Sequence, residues 1–164
     1  EEDSAEGNFA FVDVGGGSTE ISIVHDGKLA ESQSYNIGTL RMLSGKVTDE
    51  TRGKMEADLK RYSKEYDNIR IIGSGGNINK LSNDRDKSPA ISVSELRRLY
   101  ETMRPLTIRE RITMFQLKDD RADVIIPASE IFLDIAGHLK ADRIIVPTIS
   151  LADSIVDGLY KSMV

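Results

Sequence analysis

The sequence predicts an α/β domain with a five-stranded mixed sheet, an antiparallel meander followed by parallel additions and flanked by helices. Three observations carry this expectation. Residues 9–37 fall into strand-length apolar and alternating runs separated by glycine-containing turns. Two later apolar runs, 69–72 and 144–146, each stand between helical segments, as parallel strands do. Residues 119–139 are apolar on almost every side, which places them in the middle of the fold.

The elements follow in order. Residues 1–8 are polar and acidic and read as a flexible N-terminal segment, with a single domain over 9–164. Residues 9–14 form the first strand and 19–25 the second, with Ile21 and Ile23 on one face. Asp26-Gly27 is a two-residue hairpin signal, and 28–37 make the third strand. Gly38-Thr39 opens a short helix that carries Arg41, which fits an anion contact and a solvated helix arginine equally well. Residues 48–66 are an amphipathic helix with Thr48 and Thr51 at its start and Met55, Leu59, Tyr62 and Tyr66 facing the core.

A strand over 68–73 leads into Ser74-Gly75-Gly76 and a further helix. Residues 83–88 read as a polar loop. Ser92 with Glu95 forms a capping box for the helix bearing Leu96, Leu99, Tyr100 and Met103, which Pro105 ends. A second short helix spans 107–115, and Arg104, Arg109 and Arg111 read as a solvated or acid-paired face. In the central helix Pro127 marks either a kink or a first turn. Residues 143–147 are the last strand, and 148–150 cap a final helix over 151–163. The order β-β-β-α-α-β-α-α-α-β-α is that of one ribonuclease H-like half of an actin-type fold.

Composition excludes several functions. A chain of 164 residues with 39% hydrophobic and 30% charged residues can bury a proper core. A net charge of -5 provides no broad cationic field for nucleic acid or anionic membrane. The absence of cysteine removes disulfides and thiolate metal sites and agrees with a cytoplasmic setting. No apolar run approaches the roughly 18–20 residues of a membrane span. His25 and His138 lack ligand partners at metal spacing, and Ser18 has no histidine base near it in sequence.

Two glycine-rich loops remain. Asp13-Val14-Gly15-Gly16-Gly17-Ser18-Thr19-Glu20 brings a carboxylate, backbone amides and two hydroxyls to one hairpin tip. Glycine's tolerance of positive φ and lack of Cβ let such a tip turn sharply and bring its amides against an anion. The Asp13 carboxylate suits a divalent cation or a water beside a phosphate. The consecutive glycines match neither Gly-x-x-x-x-Gly-Lys-Ser/Thr nor Gly-x-Gly-x-x-Gly. A plain hairpin turn is the competing reading of the glycines taken alone. In the second loop, Gly73-Ser74-Gly75-Gly76 runs from a strand into a helix N-terminus, whose free amides and dipole favour anions; a tight βα packing turn is the alternative there.

These two loops, with Ile37-Gly38-Thr39-Leu40-Arg41 and Arg121-Ala122-Asp123-Val124-Ile125, resemble in order and spacing the exopolyphosphatase and guanosine-pentaphosphate phosphatase family over nearly the whole chain. The resemblance implies the second half of an actin-like two-domain hydrolase that releases terminal phosphate from polyphosphate or guanosine pentaphosphate. It implies Asp13 at the metal and attacking-water position with Mg²⁺ or Mn²⁺, and Glu20 assisting metal or substrate. It also implies Gly15, Gly16, Gly17, Ser18 and Thr19 on phosphate, and Gly73, Ser74, Gly75 and Gly76 along the far wall of the cleft. Members of that family carry a first half-domain with its own Asp-x-Gly-Ser loop and the glutamate expected as general base. Nothing in this sequence corresponds to either, so the chain reads as the second half, with little hydrolysis expected from it alone. The missing half is then its principal partner, and a homodimer is compatible with this reading. Where the family usually has Asp-Arg-Gly after the last strand, this chain has Thr148-Ile149-Ser150. Two other functions compete: a non-catalytic module that senses phosphate or a nucleotide, and an ATP-using half like that of acetate or sugar kinases.

Overall fold

The computed structural model describes residues 6–83 and 90–147. The chain runs β1 (Asn8–Val14), β2 (Thr19–His25), β3 (Lys28–Tyr35), α1 (Thr39–Leu43), α2 (Asp49–Glu65), β4 (Arg70–Ser74) and α3 (Gly76–Asn83). It continues through β5 (Ala90–Ser92), α4 (Val93–Met103), α5 (Ile108–Phe115), α6 (Ile125–Leu139) and β6 (Arg143–Ile145). The expected final helix over 151–163, its caps, and most of the 83–88 loop lie outside the described residues.

One sheet holds the strands in the order β3-β2-β1-β4-β6-β5. β1, β2 and β3 form the antiparallel meander, and β4 and β6 add in parallel. This is the ribonuclease H-like order, with six strands where the sequence predicts five. The extra strand, β5, is three residues long and pairs antiparallel with β6 at the sheet edge. So short a strand has no readable alternation, and only its pairing partner makes it one.

The hairpin between β2 and β3 turns on Asp26 and Gly27, both at positive φ (48° and 79°), as a tight turn matching strand twist requires. β3 forms the other edge and is largely polar and exposed, which discourages further pairing. Asn8, assigned by composition to the N-terminal tail, instead opens β1. It is buried, donates through Nδ2 to the Asp67 carbonyl and contacts His25 Nδ1 through Oδ1.

The main core lies on one face of the sheet. Ala10, Val12, Ile21, Ile23, Ile71 and Ile144 pack under Leu59 and Tyr62 of α2, Leu96 of α4, and Ile131, Phe132 and Ile135 of α6. α6 contacts α1, α2, α3 and α4, which explains why its sequence is apolar almost all round. It begins at Ile125, later than the apolar run suggests, because 119–124 form turns. Pro127 is the third residue of α6, where its missing N–H has no intrahelical carbonyl to meet, so it starts the helix without kinking it. A smaller cluster of Phe9, Val24 and Ile72 lies apart from the main core.

Ser92 caps α4 by accepting from the Glu95 N–H, while the Glu95 carboxylate takes Arg98. The reciprocal capping box stands at α5 instead, between Thr107 and Glu110. The arginine face is also divided. Arg104 lies over the Tyr100 ring, whereas Arg111 donates to the carbonyls of Met103, Arg104 and Ala122 and ties α5 to its flanking chain.

At the end of β3, Tyr35 donates to Asp58 Oδ2 at 2.6 Å, and Lys54 holds Asp58 Oδ1 at 2.8 Å. Burial pushes the Tyr35 hydroxyl's pKa far up, aided by the hydrogen bond to Asp58. Burial also pushes the Asp58 carboxyl up, but the Lys54 and Tyr35 hydrogen bonds outweigh it and hold the group below the usual range. This anchor sets where the chain leaves the sheet toward α1.

Candidate functional site

Sheet register brings the two glycine-rich loops together. Asp13, near the end of β1, pairs with Glu20 on β2 and with Ser74 on β4. Laterally paired residues share a sheet face, so Asp13, Glu20 and Ser74 stand side by side on one face of the sheet, and all are exposed. Gly75 follows at φ +119°, a conformation that favours glycine, and a methyl there would lie 3.2 Å from the Val14 carbonyl and 3.8 Å from Asp13 Oδ1. The second loop therefore abuts the first at Asp13.

The hairpin tip is built from its carbonyls. Gly15 N–H donates to the Ser18 carbonyl at 2.9 Å. The Gly15 carbonyl accepts from Thr39 N–H, the Gly16 carbonyl from Leu40 and Arg41 N–H, and the Gly17 carbonyl from Arg41 Nε at 2.6 Å. Among the described residues, the N–H groups of Gly16, Gly17 and Ser18 meet no acceptor. Three consecutive amides thus stand free at the tip of the hairpin whose first strand carries Asp13, a concentration of donors suited to a phosphate-sized anion.

The reason for glycine here differs from the one sequence suggests. None of Gly15, Gly16 and Gly17 adopts a positive φ, so the tip is not a glycine-only turn. Gly17 faces open space, and at Gly16 a Cβ would press on Leu40 Cδ1 at 2.9 Å. What the missing side chains provide is uncovered backbone.

Two expected ligand residues are placed elsewhere. Thr19 is fully buried, and its hydroxyl donates to the Ile37 carbonyl at 2.6 Å. It ties the hairpin to the α1 segment and its hydroxyl is not offered to a ligand. Gly73 is also buried, and a Cβ there would stand 2.9 Å from Ile144 Cγ2 and 3.0 Å from Phe132 Cε1. It is a packing glycine that lets β4 pass under α6. Gly15, Gly16, Gly17, Ser18, Asp13, Glu20, Ser74, Gly75, Gly76 and Arg41 all gather around the two loops.

Arg121 joins them from the turn before α6. A methyl on Gly76 would lie 2.5 Å from its Nη2 and 2.8 Å from its Nη1, so the guanidinium rests on the start of α3. Among the described residues no carboxylate pairs with it. Arg121 brings a cation to the second loop, on the α3 side of the Asp13 and Glu20 carboxylates. The sequence contains the Arg121-Ala122-Asp123 signal but offers no reason to connect it with Gly76, which lies far away along the chain. At the same loop Asn77 Oδ1 is buried without a hydrogen-bond partner among the described residues.

The donors present decide which divalent cation the loops could hold. Among the described residues no three His, Cys, Asp or Glu side chains are grouped to hold one. Asp13 and Glu20, opposite each other in register, form a two-carboxylate set. That set fits Mg²⁺, which commonly takes one or two carboxylates and completes its shell with waters and substrate phosphate.

A family model described as the Ppx/GppA phosphatase family matches residues 2–163. The crystal structure of the type II variant of the Aquifex aeolicus Ppx/GppA phosphatase is similar at 26% identity and TM-score 0.68, over 92% of this chain and 56% of that one. A second structure of the Aquifex aeolicus family member aligns at 25% identity and TM-score 0.69, over 96% and 57%. An exopolyphosphatase from Cytophaga hutchinsonii ATCC 33406, at 22% identity and TM-score 0.71 over 96% and 57%, shares the fold. The chain thus spans a little over half the length of these structures. No curated protein matches it. Among the described residues no helix is long and apolar enough to cross a membrane.

Proposed function

Because the chain belongs to the Ppx/GppA phosphatase family, we propose that its two loops form one wall of a cleft in which water removes the terminal phosphate of polyphosphate or guanosine pentaphosphate. The observation that carries this reading is the row of three amides at Gly16, Gly17 and Ser18, unpartnered among the described residues, at the tip of the hairpin whose first strand carries Asp13.

Phosphoryl transfer needs positioning and charge neutralisation more than covalent help. The Gly16–Ser18 amides would hold the oxygens of the terminal phosphate, and Arg121 would add a cation from the α3 side. Ser74 and the N-terminal amides of α3 would face the same anion. Asp13 and Glu20 would hold Mg²⁺, or Mn²⁺, which supplies neutralisation of phosphate charge when bound. The Asp13 carboxylate is also suited to orient the attacking water. In this reading the general base is a glutamate from a first half-domain, so this chain alone binds polyphosphate and turns it over slowly. The same proposal includes a cytoplasmic setting, with which a chain without cysteine agrees.

Calorimetric titration with tripolyphosphate in Mg²⁺, paired with phosphate release from polyphosphate, tests the reading. Wild type is expected to bind, and Gly16→Val, whose side chain must displace Leu40 at the tip, to bind at least about tenfold more weakly through lost charge-assisted hydrogen bonds. Equal binding by the valine variant would reduce the tip to a turn. Robust turnover by this chain alone would overturn the assignment of the base to another half. Tight guanine-nucleotide binding with no hydrolysis by the complete protein would favour a sensor instead.

A further inference from the structure

We infer that the α1 turn is the positioning element that orients the anion-binding amides of the hairpin, and that Gly38 is the residue that permits it. The inference rests on the phosphate reading of the Gly16–Ser18 tip.

In a trans peptide the C=O of one residue and the N–H of the next point in opposite directions, and the described backbone contains no cis bond. Fixing where a carbonyl points therefore fixes the following amide. The Gly15 carbonyl is held by Thr39 N–H at 3.0 Å, which turns Gly16 N–H away from α1. The Gly16 carbonyl is held by Leu40 N–H at 3.0 Å and Arg41 N–H at 3.3 Å, which turns Gly17 N–H the same way. The Gly17 carbonyl is held by Arg41 Nε, which does so for Ser18 N–H. The donors at the start of α1 are thus used on the hairpin's carbonyls, and the three free amides are the reverse sides of the same peptide planes.

This contact needs two backbones to touch. A Cβ on Gly38 would overlap the Gly16 carbonyl oxygen and lie 2.5 Å from Gly16 C and 2.7 Å from Gly17 C. These are backbone atoms, which cannot rotate aside. Gly38 itself has φ -143° and ψ 167°, extended values open to any residue, so space alone requires glycine there. Thr19 supports the same arrangement from below through its bond to Ile37, the residue before Gly38. Arg41 has two functions in one side chain: Nε orients Gly17, and the rest of the guanidinium remains near the tip as a cation.

Amide hydrogen exchange in the wild-type chain tests the brace without ligand. Protected amides at Thr39, Leu40 and Arg41 beside fast-exchanging Gly16, Gly17 and Ser18 are expected; slow exchange at the glycines with unprotected α1 amides would overturn it. Tripolyphosphate titration followed by amide NMR shifts then compares wild type, Gly38→Ala and Gly53→Ala. Gly53 lies in α2 with nothing within 4 Å of an added Cβ. Wild type and Gly53→Ala should show matching shifts at Gly16, Gly17 and Ser18. Gly38→Ala should keep its amide pattern elsewhere and bind roughly tenfold more weakly, about the effect of one or two lost charge-assisted bonds. A folded Gly38→Ala that binds like wild type removes the positioning role alone. Binding by none of the three removes the phosphate reading, and this inference with it. Should Gly38→Ala fail to fold, Arg41→Gln supplies the affinity comparison: an affinity equal to wild type would count against the brace.

Discussion

Gly73→Ala separates packing from ligand contact in the second loop. The added methyl would sit 2.9 Å from Ile144 Cγ2 and 3.0 Å from Phe132 Cε1, against an ordinary carbon–carbon separation of about 3.5–4.0 Å. Both neighbours are buried side chains with at most 1% exposure, so neither can swing into solvent. Relief requires β4 and α6 to part by roughly half an ångström, an overpacking that costs about 1–3 kcal/mol. The lower chain entropy of alanine in the unfolded state returns about 0.4–1 kcal/mol. With the middle of each range the net loss is about 1.3 kcal/mol, equivalent to a fall in Tm of about 3–5 °C for a chain of this size. Thermal unfolding by circular dichroism measures it, and tripolyphosphate titration is run on the same samples. A Tm equal to or above wild type would refute the packing argument. So would lost binding at unchanged Tm, which would make Gly73 a cleft glycine after all.

Three other expectations follow from the same contacts. Thr19→Val keeps the shape but leaves the buried Ile37 carbonyl without its donor, and should cost about 1–3 kcal/mol in urea unfolding; no loss would mean the hydroxyl is not an anchor. Asp58 has its pKa depressed in the fold, so its contribution is complete above the ordinary carboxylate range and disappears as pH falls through the depressed value. Melting curves across acid pH should therefore show wild type losing its advantage over Asp58→Asn, and a constant gap would contradict the linkage. Arg111→Met removes the donor shared by the Met103, Arg104 and Ala122 carbonyls, and should speed amide exchange in α5 selectively while α2 and α6 stay protected.

The site illustrates how backbone and side chain divide the work of holding an anion. Asp13 and Ser74 come together because β1 and β4 are parallel neighbours in register. The amides face outward because another segment occupies their carbonyls. Arg121 arrives from the turn that feeds the central helix, so its position depends on how α6 sits against α3.

What the sequence determined by itself was whatever depends on near neighbours. The Asp26-Gly27 turn, the amphipathic face of α2 and the glycine-rich tip after β1 each follow from local φ/ψ preference or from hydrophobic period. The family signal was legible as well, since its four motifs stand in order along the chain. Tertiary structure decided what depends on residues distant in sequence. β5 is a strand only because β6 lies beside it. Thr19 and Gly73 look like ligand residues in the chain and prove to be core contacts, because Ile37 and Phe132 reach them only after folding. Gly15-Gly16-Gly17-Ser18 could be recognised as a loop of amide donors, but the direction in which those donors point was set by Gly38, Thr39, Leu40 and Arg41. A peptide plane has two polar ends, and the partner that takes one end decides where the other faces.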